Sequence, residues 1–157
     1  MTRGDNVGTL DPARLLREWR WLCPQSVTII DRNAFGDLFL RDELGRVYML
    51  DVGSGELAPV AGSSFEFDAL SATPEKREEW FAEEDAKNAA EQGLIPGPTQ
   101  CIAFDIPVVF EESANASPYI ADLYDQLGFL GDLHRQLATF PDGTKVELAI
   151  EPSKNGL

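Results

Sequence analysis

Apolar positions fall first at helical and then at strand spacing. Leu15, Leu16, Trp19 and Leu22 recur at intervals of three and four behind Asp11-Pro12, which predicts a helix with that stripe turned inward. Asp caps free N–H groups and Pro suits the first helical position; Cys23-Pro24 ends the helix. Arg14, Arg17 and Arg20 lie beside one another on the far side, the pattern of a solvated face. Residues 27–30 are β-branched and continuous. Residues 37–41 and Val47–Asp51 flank Asp42-Glu43-Leu44-Gly45, a hairpin with glycine where positive φ is needed. Gly53-Ser54-Gly55 makes a second turn, and residues 56–60 form a third meander strand.

The period then changes. Ser64–Ser71 reads as a short helix carrying Phe65, Phe67 and Leu70. Thr73-Pro74-Glu75 starts a further helix and Gly93 stops it. This helix carries Glu75, Glu78, Glu79, Glu83, Glu84, Asp85 and Glu91; Trp80 and Phe81 anchor it, and Glu83 is placed to pair with Lys87. Residues 94–99 (LIPGPT) are a rigid connection, and residues 100–106 are a strand that stops at Pro107. Residues 111–118 are a polar loop with Glu111 and Glu112. Residues 119–126 fit strand or helix equally, 129–139 are helical, Pro141-Asp142-Gly143 is a turn that requires its glycine, and 145–150 are a last strand. The order of elements predicts an α+β fold, an antiparallel β meander with packed helices. The expected organisation is a flexible segment 1–10, one domain over 11–151 and a tail over 152–157.

Charge is distributed unevenly over this frame. Residues 47–134 hold 17 of the 27 acids and only three bases, Lys76, Arg77 and Lys87, while the flanks are balanced. The net charge of −14 therefore sits in the middle of the chain. Such a field repels nucleic acid, whose binding rests on cations, and attracts basic partners. The same charge also serves plain solubility. No apolar run approaches a membrane span, and the first residues (TRGDNVGT) lack the apolar stretch of a signal peptide. The expected location is the cytoplasm, with Cys23 and Cys101 reduced.

Most catalytic chemistry lacks its residues. His134 is the single histidine, so HExxH is excluded and a zinc set is poor. The chain has no GxSxG, no GxxxxGK[ST] and no GxGxxG after a strand. Acid pairs suited to general acid/base work are Asp31 with Asp37, Asp42 with Asp51, and Glu111 with Glu112. Turn-capping acids give the same pattern. Cys101 lies in an apolar strand with no local base to activate it. No cofactor or metal is expected.

Four segments carry a family resemblance: Phe35-Gly36-Asp37-Leu38-Phe39, Gly45-Arg46-Val47-Tyr48-Met49-Leu50-Asp51, Phe129-Leu130-Gly131-Asp132-Leu133-His134-Arg135-Gln136-Leu137, and Pro141-Asp142-Gly143-Thr144-Lys145. In order and spacing they resemble the bacterial immunity proteins of type VI secretion that neutralise a DNase effector, a family with members joined to a GAD-like domain. The likeness spans roughly residues 12–150, and no separate GAD-like portion is expected here. After Pro107 the chain reads Val109-Phe110-Glu111-Glu112 in place of a Gly-Gly seen in related sequences. The resemblance implies a non-enzymatic cytoplasmic inhibitor of a cognate toxin. Its matching residues read as fold determinants, so the partner-binding candidates come from the charge pattern: Glu78, Glu79, Glu83, Glu84, Asp85, Glu111 and Glu112. Trp80, Phe81 and Tyr119 are candidate anchors. An acidic interaction module without a toxin, and a small carboxylate-dependent hydrolase, are the alternative readings.

Overall fold

Four strands, β1 (Val27–Arg32), β2 (Leu38–Asp42), β3 (Val47–Asp51) and β4 (Glu56–Ala61), pair antiparallel in chain order in a computed structural model that describes residues 7–107, 110 and 114–140. The helices are α1 (Pro12–Leu15), α2 (Ser64–Ser71), α3 (Pro74–Phe81), α4 (Glu83–Glu91) and α5 (Leu123–Leu137). A 3-10 turn, Arg17–Trp19, follows α1, and β5 (Gln100–Phe104) pairs antiparallel with β6 (Pro118–Asp122) just before α5. The fold is α+β.

Strand alternation sorts the side chains into two cores. Leu38, Leu40 and Leu50 join Ile29 against α1, Trp19 and the α5 residues Leu123, Leu127, Leu130 and Leu133. Phe39 and Val47 point the other way and meet Phe67, Trp80 and Phe81 of α2 and α3. Phe39 and Phe67 are fully buried, with ring centroids 5.1 Å apart. The sheet is thus covered on both faces, which is why β2 reads as a continuous apolar run. Alternation sends Ile29 to the first core and Ile30 to the second, and a bulge between Ile29 and Asp31 then sets Asp31 opposite Phe39.

The hairpin turn and the caps agree with the sequence. Gly45 has φ +85°, Asp11 accepts the Ala13 N–H, and Thr73 accepts the Lys76 N–H. At the end of α4 the Leu94 N–H reaches the Ala89 carbonyl and the Gly93 N–H that of Ala90, a Schellman stop. Of the N-terminal segment, residues 7–10 are described; Leu10 is buried and Val7 packs on the core. The terminal residues 1–6 and 152–157, the Pro141-Asp142-Gly143 turn and the strand expected over 145–150 lie outside the described residues. No helix among the described residues is long and apolar enough to cross a membrane.

Three elements differ from the sequence reading. The first helix yields to a 3-10 turn after Leu15. That tighter turn brings the Glu18 backbone against α5 and lets the Trp19 indole donate to the Leu127 carbonyl (2.9 Å). Second, residues 119–122 belong to β6 and α5 begins at Leu123, where Asp122 accepts the Asp125 N–H. The helix runs on from Leu123 through Gly128 into the segment read as helical from 129.

Third, the acidic helix is two helices. Ala82 takes φ 48° and ψ 50°, a left-handed residue that ends α3 and starts α4. A straight helix turns about 100° per residue, so Ala89 would lie about 180° from Trp80. Yet Trp80 is 2 % and Ala89 7 % exposed. The break re-aims α4 so that both bury. A left-handed alanine costs about 1–2 kcal/mol, and glycine returns part of its gain as chain entropy. Ala82→Gly should therefore stabilise by about 0.5–1 kcal/mol, read as a higher urea midpoint. A lower midpoint would place Ala82 in an ordinary helical conformation.

Candidate functional site

Glu78, Glu79, Glu83, Glu84 and Asp85 are all exposed on α3 and α4. The break at Ala82 distributes them over two helix axes. Their local bonds differ. Glu79 pairs with Lys76 at 3.2 Å, and Glu83 pairs with Arg77 at 2.7 Å in place of the expected Lys87. Glu78 turns back to accept the Glu84 N–H at 3.1 Å. It thereby caps α4, whose N-cap residue Ala82 has no side-chain acceptor. Glu84 and Asp85 have no side-chain partner among the described residues, and neither have Glu75 and Glu91. Glu83, Glu84 and Asp85 occupy the first turn of α4, where the helix dipole favours negative charge.

Two of the three bases in this stretch lie over core rings. Lys76 lies 5.4 Å from the Trp80 ring centroid and the Arg77 guanidinium 4.6 Å from that of Phe81. Each cation is thus shared between one acid and one ring. Trp80 and Phe81 are core residues, which removes them as partner anchors, and Tyr119 is half-buried on β6. Glu111 and Glu112 lie outside the described residues. At the start of α2, Phe65 is an exposed aromatic, at 85 %. Its sequence signal was its spacing: Phe65 and Phe67 are two residues apart, about 200° on a helix, and cannot share a face.

The candidate acid pairs separate into structural roles. Asp42 caps its own hairpin, accepting the Leu44 and Arg46 N–H groups and binding the Arg46 side chain. Asp51 accepts from Gly53 and Ser54 in the next turn. Asp37 faces Asp51, not Asp31. Its carboxyl is packed inside, accepting Asn33 Nδ2–H at 2.8 Å and the Val52 N–H at 2.9 Å. Burial, with help from Asp51, pushes its pKa up to about 7 against those two donors. The Asn33 amide also donates to the Trp80 carbonyl, and His134 Nε2–H to the Val52 carbonyl at 3.0 Å. One polar chain therefore ties α3, the β1–β2 loop, the β3–β4 turn and α5 together. Burial lowers the His134 pKa, the Val52 carbonyl opposing it. The ring leaves no room opposite: a Cβ on Gly55, at φ +75°, would lie 2.5 Å from it.

Arg32 is buried and donates to the carbonyls of Asn33, Pro98 and Gln100, stapling the 94–99 connection to β1. Burial raises the Cys101 thiol to about 12, more than Arg32 offsets, and raises Cys23 to about 11. Neither thiol is a nucleophile in that state. An open groove of about 490 Å³ lies between α1 and the β2–β3 hairpin, with Asp11, Arg20, Arg41 and Glu43 in its lining. None of Asp37, Cys101 and His134 reaches it. No group of three or more His, Cys, Asp or Glu among the described residues is arranged to hold a metal ion.

In the described segments that carry the family resemblance, Leu38, Phe39, Val47, Leu50, Leu130, Leu133 and His134 are buried. Asp37, Gly131 and His134 hold elements together and present nothing to a partner. Glu84 and Asp85 are the candidates with no competing bond. Compared with family models, with curated proteins and with solved structures, the chain matches none.

Proposed function

We propose that this chain is a non-enzymatic, cytoplasmic immunity protein that binds and inhibits a cognate toxin, a type VI secretion DNase effector, through its acidic surface. The observation that carries the reading is the α3–α4 pair. It exposes seven acids, and two of the three nearby bases are neutralised internally. A DNase needs a cationic cleft for phosphate. An acidic helix pair steers such a cleft toward itself at long range and then fills it with carboxylates where phosphates would bind. The order of the resembling segments supports the family role, and the burial of their residues Leu38, Phe39, Leu50, Leu130 and His134 leaves the acidic surface free to vary with the toxin.

The test uses the product of the neighbouring gene as the toxin. Wild-type protein should bind it and protect cells that express it. The triple variant Glu84→Lys/Asp85→Lys/Glu91→Lys should stay folded, losing about 1 kcal/mol at the α4 terminus. Its association rate at low salt should fall tenfold or more and lose most of its salt dependence. Unchanged association kinetics would reject the acidic helices as the contact. A neighbouring product that is neither toxic nor bound would reject the immunity reading in favour of a general acidic interaction module.

A further inference from the structure

Phe65 occupies a place that the core does not explain. Its neighbour Phe67 is fully buried and stacks on Trp80 at 5.3 Å, so α2 is docked by Phe67 while Phe65 points away. The start of α2 is nevertheless tightly held. Ser63 accepts the Glu66 N–H at 3.1 Å, Glu66 accepts the Gly62 N–H at 2.7 Å, and Arg41 donates to Ser64 at 3.3 Å. An aromatic displayed on a clamped helix end loses little freedom on binding, the property of an interface anchor.

Strand register places a second apolar residue nearby. Arg41 pairs with Val47, and Val47 with Ala61, so the β2–β3 turn and the start of α2 leave the sheet at the same end. That turn carries Leu44, 76 % exposed. Single exposed hydrophobes are ordinary. Two of this exposure at one end of a sheet, beside the open groove, are a surface awaiting cover. α2 exposes Glu66 and Asp68, and beside Leu44 Glu43 is exposed while Arg46 is paired with Asp42. With Arg41 included the acids still outnumber the bases, so the complementary surface is cationic.

We infer that Phe65, supported by Leu44, is the apolar anchor of the toxin interface, inserting into an apolar pocket beside the toxin's basic cleft while α3 and α4 engage the cleft itself. This rests on the immunity reading above and adds the desolvated contact that charge alone lacks. Acids set the rate of encounter; the anchor sets how long the complex lasts.

The experiment compares Phe65→Ala with wild type, both as full chains, in binding kinetics against the neighbouring gene product. Phe65→Ala should melt like wild type, because the ring has no buried contact to lose. Its dissociation rate should rise thirtyfold or more, while the association rate and its salt dependence stay unchanged. Phe65→Leu should recover part of the loss, and Leu44→Ser should speed dissociation a few-fold. Wild-type dissociation of Phe65→Ala would overturn the anchor and leave the immunity reading standing if the α4 reversals still slow association. Absence of wild-type binding would overturn both. A wild-type dimer in sedimentation that Phe65→Ala converts to monomer would assign the patch to a second copy of the chain and overturn the anchor.

Discussion

Gly131→Ala should lower the stability of the fold by about 1–3 kcal/mol, whereas Gly128→Ala, three residues earlier in the same helix, should raise it by up to about 1 kcal/mol. Helix propensity alone gives both substitutions the same favourable sign, since glycine is about 1 kcal/mol worse than alanine in a helix interior. The surroundings reverse one of them. A Cβ at Gly131 would lie 2.7 Å from the Glu18 carbonyl oxygen, 2.8 Å from its Cβ and 2.9 Å from its carbonyl carbon. These are mainly backbone atoms and cannot rotate away. The 3-10 turn would have to lift off α5, stretching the 2.9 Å bond from the Trp19 indole to Leu127 and opening the contact of Trp19 with His134. Gly128 meets nothing within 4 Å, so it gains propensity without a clash. Urea unfolding of the two variants reads the difference. If Gly131→Ala melts at or above wild type, α5 and the N-terminal turn do not cross this closely.

That contrast also marks how far the sequence could be read. The meander, the Gly45 turn, the caps at Asp11 and Thr73 and the Gly93 stop are local devices, each written within a few residues, and they were legible. The breaks were not. Ala82 is an ordinary helix former, and only the joint burial of Trp80 and Ala89, a tertiary demand, turns it left-handed. Gly131 was read inside a helix, and nothing local marks it as a crossing point between segments more than a hundred residues apart. The exposed acids of the candidate site were readable as a charge excess, because charge needs no geometry. Which acids are engaged was not: Glu83 chose Arg77 over Lys87 only because the break at Ala82 brought it there. Phe65 and Phe67 were read on one short helix, and their two-residue spacing already separated them around it. Asp37 was paired with Asp31 by proximity in sequence, whereas the strand register brings Asp51 to it.

Asp37 should make the stability of the protein fall as pH rises from about 4 to about 7. Its ordinary value is about 3.9, and burial, reinforced by the Asp51 carboxylate, lifts it to about 7 in the folded state. Between those values the folded chain keeps a proton that the unfolded chain has released. The favourable contribution is therefore complete below about 4 and gone above about 7. Three units correspond to about 4 kcal/mol at most, of which about a third is already gone at pH 5. The groups facing the carboxyl are the Asn33 amide, the Val52 N–H, Asp51 and Cys101, with Arg32 beyond the thiol and His134 sharing the Val52 peptide. His134 acts in the opposite direction. Its folded pKa is lowered by burial, so its contribution is present above about 6.5 and is lost as pH falls. The wild-type profile is thus a composite, and the variant Asp37→Asn isolates one term. Asparagine keeps an oxygen for the Val52 N–H but turns an amide donor toward the Asn33 amide, losing a bond worth about 1 kcal/mol. At pH 5 the variant should be less stable than wild type by about that amount. At pH 8, where wild type buries a carboxylate, the variant should be more stable by about 1–2 kcal/mol. Urea unfolding of both proteins at pH 5, 6.5 and 8 and constant ionic strength tests the crossing. A difference of one sign throughout would mean that the two N–H donors keep Asp37 ionised over the whole range.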